Sequence, residues 1–488
     1  MFKDLRKLGK ESLIYGLSTV LARLLNFVLM PFYTHYLLPG QYGIVATVFS
    51  YIAFFNIIYG YGLNQGYMRH YKEEGALSSS FNAVFYTSIL LSAIVSFFSI
   101  PLSKLSGIGA ENYRLIIYSA GILCLDAFSL IPMADLRIKH KAGSFVLIRT
   151  LSIAVNVALN VLFLAFFHAG IEGIFYANLI SSAIAVFCVG GYFSSLKQKM
   201  NLLLLRSIFA YSLPFLPAGL SIMIVQVIDR PVMLKLSDAW TVGIYQANYR
   251  LAIIMSLLVT MFDQAWRPFV IERASQKDAG ILFSKVFKYF TFFAAAVWLF
   301  FSLFISDLVS IEIGKVAIVN SLYYAGLPLV PVIMGAYFFN GVYVNFLAPV
   351  MISKKTAPVM TATLAGAVVN VALNLAFIPS HGMYAAAWSA FFSYMLMAFL
   401  LRSLTWKDYH VSYDYRRFAL LLTLSCAFYL SYFFTAKSFS DCSAPAFKTM
   451  LFLLFFPACR LTGYFSREEI SMAAEWMREK FSRKIIIK

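Results

Sequence analysis

Two arginines stand inside long apolar runs, where a charge needs a reason. Arg23 lies near the middle of the first run, with Asn26 one helical turn on. Arg250 lies within the eighth, with Gln246 one turn before it and Tyr245 and Tyr249 beside them. A charge at mid-bilayer costs about 2.5–3.5 kcal/mol on insertion scales, so each calls for a partner or a task. Arginine presents a planar fork of N–H donors suited to phosphate oxygens. The functional reading of Arg23 and Arg250 is therefore an anion site. Asn26 and Gln246 would add hydrogen bonds there, and Tyr245 and Tyr249 stacking faces. The structural alternative is that Asp126, Asp229 or a carbonyl neutralises each arginine and fixes packing.

Asp126 sits within the fourth run. Burial favours the protonated form of a carboxylate, so this group could carry a proton or a sodium ion; it could equally bond a neighbouring helix. Asp229 and Arg230 are adjacent, which suggests a local ion pair. Arg69, at the end of the second run, reads as a gate or as surface charge, and Asp263, four residues before Arg267, as a coupling or gating group. The six histidines form no His-Glu-x-x-His motif, and there is no nucleophile triad, metal cluster or phosphate loop. Neither a catalytic centre nor a bound metal is expected.

The elements that must position these residues are membrane helices. The 488 residues are 61% hydrophobic and only 13% charged, which excludes an ordinary soluble domain. Fourteen apolar stretches reach the roughly 20 residues a bilayer requires, with short connections between them. The net charge of +18 is not a nucleic-acid signal. Traced through fourteen spans, lysines and arginines gather on one side, as the positive-inside rule describes. Both termini are then expected in the cytoplasm. Five cysteines, an odd number, argue against a disulfide framework. The stretch Leu13–Tyr33 is long, contains Arg23 and lacks a cleavage pattern, so it reads as an uncleaved first span.

The chain also repeats itself. Val155-Asn-Val-Ala-Leu-Asn160 recurs letter for letter as Val369–Asn374, 214 residues later. The asparagines of each copy are one turn apart on one face, which points at a neighbour or a cavity and not at lipid. Pro31 and Gly43 are echoed by Pro231 and Gly243, 200 residues on. A half-molecule duplication follows, with six spans in each half. Six is even, so the halves share an orientation. The expected domains are residues 1–195 and 205–404, one six-helix bundle each, then 415–488 with two further helices and a charged amphipathic tail.

At this point the chain resembles the Wzx-like polysaccharide or O-antigen flippases of the multidrug/oligosaccharidyl-lipid/polysaccharide (MOP) exporter superfamily. The resemblance rests on Leu38-Pro-Gly-Gln-Tyr-Gly43, on Tyr61-Gly-Leu-Asn64 with Arg69, and on Asn374-Leu-Ala-Phe-Ile-Pro379 with Gly382. It covers nearly the whole chain and is weakest in the last two spans. It implies an all-α polytopic protein: two V-shaped six-helix bundles plus two C-terminal helices. It implies alternating-access transport of polyprenyl-diphosphate-linked oligosaccharide across the bacterial cytoplasmic (inner) membrane, for O-antigen, capsule or exopolysaccharide. Cationic residues lining the cleft carry over to Arg23 and Arg250. No cofactor is implied beyond coupling to H+ or Na+. Expected partners are the lipid-linked oligosaccharide, membrane lipids, and the polymerase and chain-length proteins of the glycan pathway; a monomer is expected. The rival on the same scaffold is a cation-coupled multidrug exporter, which would want a carboxylate-rich cleft. A membrane glycan polymerase or ligase would need a sizeable outer loop, and the connectors here are short.

Overall fold

A computed structural model describes residues 27–274, 276, 278–314, 316–435, 444–466 and 469. Arg23 and Asn26 lie outside the described residues. The chain divides into two compact units, Met1–Arg273 with Ser310–Tyr409, and Ala274–Val309 with His410–Lys488.

In the first unit, residues 27–36 are helical and lead into α1 (Pro39–Gly60). Its start is written in the sequence: Pro39 occupies the first helical turn, and the Gln41 side chain accepts from the Leu38 amide at 3.0 Å. It ends where Tyr61 and Gly62 take positive φ, and α2 (Leu63–His70) follows. Next come α3 (Ala76–Phe97), α4 (Tyr113–Ile138), α5 (Ala142–Val161) and α6 (Gly170–Cys188). The prolines of Tyr211–Pro217 break the next span into α7 (Leu202–Ser212) and α8 (Phe215–Val227), bent by 42°. A short α9 (Asp229–Leu236) precedes α10 (Ala239–Leu251). Asp238 caps α10 by accepting from the Thr241 amide at 2.8 Å. A 45° bend directly after Arg250 and Leu251 separates α10 from α11 (Ile253–Arg273).

The second unit contains α12 (Ala279–Ser310). A two-stranded antiparallel hairpin, β1 (Glu312–Ile313) and β2 (Val316–Ala317), returns the chain to the first unit. There α13 (Leu329–Asn345) is apolar on every side and buried along nearly its whole length, as a central helix must be. It packs on α14 (Ala357–Thr405), which is really two spans, because Gly382 interrupts it at φ 51° and ψ −128°. The chain then completes the second unit with α15 (Tyr415–Thr435) and α16 (Ala444–Leu461). Inside that unit the charges are paired: Lys448 meets Asp307 at 2.6 Å, and Lys288 meets Glu469 at 2.6 Å beneath the rings of Tyr464 and Phe465.

Among the described residues, ten helices are long and apolar enough to cross a membrane, or up to twelve if each bent pair is one span. Large side chains such as Phe97, Phe187 and Leu203 stand more than 80% exposed on their outer faces, as lipid contact requires. The chain is an all-α multi-pass membrane protein.

The repeat is realised in detail. Asn160 donates to the Asn156 side chain at 3.1 Å, and Asn374 to the Asn370 side chain at 3.0 Å. His168 and Gly382, also 214 apart, both hold positive φ, at 49° and 51°. The matching glycines Gly43 and Gly243 meet each other between α1 and α10.

Candidate functional site

Helices α1, α2, α4, α5 and α6 of the first half, together with α8, line a cavity of about 900 Å³, to which each wall helix turns one face. α1 presents Ala53, Asn56, Ile57 and Gly60, a spacing of three, four and seven. α4 presents Asp126, Ser129, Leu130, Met133 and Arg137; α5 presents Arg149, Ser152, Ile153 and Asn156; α6 presents Asn178, Ser181, Ser182 and Ala185. Helical periodicity alone brings these residues to a common face. From the second half, α8 closes the cavity with Phe215, Ala218, Gly219, Ile222 and Met223, all of them apolar or glycine.

The polar lining is ordered. Ser182 donates to Asp126 at 2.8 Å, and the Asn56 amide reaches its other oxygen at 3.4 Å. Asn156 donates to Ser181 at 3.2 Å. The guanidinium groups of Arg137 and Arg149 lie 5.1 and 5.8 Å from the centre of the same ring, Phe145, so they are within 10.9 Å of each other. With two arginines against Asp126 the lining is net cationic. Such a chamber can hold an anionic group between the arginines while side-chain amides and hydroxyls bond a polyhydroxylated body.

A second polar cluster lies on α9 and α10. Arg230 is buried, pairs with Asp229 at 2.7 Å, and donates to Gln246 at 3.0 Å and to the Gln226 carbonyl at 2.5 Å. Its guanidinium rests 4.0 Å from the Tyr249 ring centre. The Tyr245 hydroxyl donates to Asp229 at 2.5 Å, and that of Tyr249 bonds Tyr337. Gln246, Tyr245 and Tyr249, grouped with Arg250 in the sequence, are thus gathered around Arg230. Arg250 itself faces the first half, 5.5 Å from the Tyr33 ring centre and 5.8 Å from that of Tyr42. Tyr33 in turn donates to Asn160 at 2.8 Å.

Of the other residues singled out, Asp126 lies in the cavity. Arg69 is exposed at the end of α2, and Asp263 pairs with Arg267 at 2.8 Å. Arg149 is not among the residues the sequence pattern picks out, and Arg137 falls among the lysines and arginines that gather on one side. The signal was present: Arg149 precedes Asn156 by seven residues, two turns along one face.

Solved structures share this fold. The chain is similar to the lipid II flippase MurJ in an inward closed conformation, at 14% identity and a TM-score of 0.64, over 91% of this chain and 98% of that one. It is similar to a multidrug resistance MATE family transporter of the MOP superfamily in its inward-facing conformation, at 15% identity and a TM-score of 0.62, over 79% and 93%. An outward-facing MATE structure matches at 16% identity and a TM-score of 0.54, over 82% and 93%. No curated protein sequence matches the chain. These likenesses, at 14–16% identity, show the fold. The family described as polysaccharide biosynthesis protein matches residues 8–274, more than half of the 488, and the chain belongs to that family, on the fold of the MOP exporter superfamily.

Proposed function

We propose that this chain flips a polyprenyl-diphosphate-linked oligosaccharide across the bacterial cytoplasmic membrane for assembly of O-antigen, capsule or exopolysaccharide. The observation that carries the reading is the net cationic, amide-lined chamber of about 900 Å³, among the described residues. Family membership and the likeness to a lipid II flippase support it. Both termini are cytoplasmic, following the charge bias along the sequence.

The headgroup enters from the inner side while its polyprenyl tail stays in lipid. Arg137 and Arg149 take the diphosphate, whose charge could not otherwise cross the core. The amides of Asn56, Asn156 and Asn178 exchange hydrogen bonds with sugar hydroxyls. Arg250, which faces the first half, offers a second cationic contact along the path, and Arg23 is carried as a further phosphate-binding residue on its sequence position alone. The halves then rock, and the cavity opens outside. Asp126 is the group placed to couple this movement to a proton or sodium gradient. The membrane potential is a further source, at about 2.3 kcal/mol per charge per 100 mV.

The test is purified protein in liposomes carrying a fluorescent lipid-linked oligosaccharide, read by outer-leaflet accessibility to a glycan-modifying enzyme. Transfer of the unaltered lipid supports the reading. No transfer with any lipid-linked glycan, or a chemically lengthened product, defeats it. The multidrug exporter reading draws on one observation, the carboxylate of Asp126 within the cavity. Drug efflux lost on deletion, with surface glycan intact, would select it.

A further inference from the structure

The two glycines of the 200-residue echo meet across the seam between the halves, and the contact is reciprocal. A Cβ on Gly43 would overlap the carbonyl oxygen of Ala239 and the amide nitrogen of Gly243. A Cβ on Gly243 would overlap the carbonyl oxygen of Pro39. Pro39 and Ala239 are themselves 200 residues apart, and each opens its helix. Residue 39 thus meets 243, and 239 meets 43, as in a two-fold interface where one surface pairs with its own copy. Small residues four apart on each helix let the backbones touch.

We propose that Gly43 and Gly243 form a clasp that seals the outer end of the transport path and parts in every cycle. The end is the outer one by the charge bias, since α1 and α10 both begin there. The clasp is built for separation, because at Gly43 and Gly243 backbone meets backbone. Polar contacts that can break and re-form ring it. Tyr323 donates to the Leu37 carbonyl at 2.8 Å, the Asn320 amide donates to Thr34 at 3.3 Å, and the His35 ring meets the Ala317 carbonyl at 2.8 Å. Each joins the first half to the second.

The proposal rests on alternating access for its direction but not on the identity of the cargo. The test uses the full chain with its five native cysteines changed to serine. Thr47→Cys places a reporter one turn inward of Gly43 on the same face, at a buried position. Gly43→Ala or Gly243→Ala is expected to speed labelling by an external, membrane-impermeant thiol reagent at least tenfold and to cut glycan export at least tenfold. Gly143→Ala, where an added Cβ meets open space, is expected to change neither. A second arm needs no glycine replaced at the contact itself. Gly40→Cys with Trp240→Cys, at positions where a Cβ on Gly40 would lie 4.0 Å from the Trp240 ring across the same seam, is joined by a short thiol cross-linker. Export is expected to stop and to return on reduction. Alanine variants that label and export like the parent, or a cross-linked protein that exports at full rate, overturn the clasp. If the alanine variants do not reach the membrane, the cross-link decides alone. A clasp that opens in a protein moving no glycan lipid leaves this inference standing and defeats the cargo reading instead.

Discussion

Replacing Arg149 with glutamine separates cargo binding from folding. Arg149 is exposed on the cavity face of α5, and among the described residues its contacts are the Phe145 ring at 5.8 Å and an electrostatic attraction to Asp126. Losing these should move stability by no more than about 0.5 kcal/mol, the usual range for an exposed side chain. A hydrogen bond from arginine to a phosphate oxygen is worth about 1.5–3 kcal/mol. At 1.4 kcal/mol per factor of ten, loss of that contact lowers transport efficiency roughly ten- to 150-fold. Arg149→Lys keeps the charge without the fork and should fall between the two. The assay is initial flipping rate against lipid-linked glycan concentration in liposomes, with thermal stability in detergent measured alongside. A variant of normal stability and normal efficiency would refute the placement of the diphosphate, and one that loses stability and transport together would show Arg149 to be a packing residue.

Other perturbations reach different parts of the molecule. Arg230→Leu strands the buried Asp229 carboxylate and should cost about 3–5 kcal/mol, while Asp229→Leu with Arg230→Leu should cost less than the single change; unfolding temperatures in detergent give the comparison. Asp126→Asn retains acceptance from Ser182 but removes the only carboxylate of the cavity lining among the described residues, so flipping is expected to lose its dependence on a proton or sodium gradient while the protein stays folded; an unchanged dependence would clear Asp126 of coupling. Burial alone would raise the Glu469 carboxyl, but hydrogen bonds from Lys288 and the Ser466 amide outweigh it and hold the group at about 2, below its ordinary 4.5. Its folded value is depressed, so its contribution is full above about pH 5 and fades as pH falls towards 2. The difference in unfolding temperature between the parent and Glu469→Gln should shrink over that interval, and a constant difference would contradict the assignment.

Much of the architecture was legible because membrane helices obey one-dimensional rules. Run length marked apolar helices long enough to cross a membrane, the prolines of Tyr211–Pro217 marked the break between α7 and α8, and the repeated hexapeptide marked two helices in each of which the second asparagine donates to the first. The neighbours Asp229 and Arg230 pair as their adjacency suggested. The site was harder to read, because a cavity depends on how helices far apart in sequence turn towards each other. Tyr245, Gln246 and Tyr249 are closest in sequence to Arg250, yet α9 brings Arg230 against them from the other side. Arg149 lies eight residues from Lys141, close enough to a basic helix end to pass as one more inner-side charge. Only the inward turn of α5 distinguishes it.

The duplication also explains why the proposed cargo site is one-sided. Seven residues before the asparagine pair, the first half carries Arg149 and the second carries Thr363. Thr363 is buried and returns its hydroxyl to the Val359 carbonyl at 2.9 Å, so that helix offers the interior no charge. Asn156 lines the cavity, whereas both Asn370 and Asn374 are sealed in packing at about 1% exposure or less. Among the described residues the second half meets the cavity through the apolar face of α8. On the proposed function the two copies of one scaffold divide the work at the cavity: the first supplies the polar lining for a headgroup, and the second an apolar wall. Transferring charge to the second half, as in Thr363→Arg, should therefore destabilise the bundle without restoring transport to an Arg149→Gln protein. Restored flipping in that double variant would show that the halves are interchangeable and that the division does not exist.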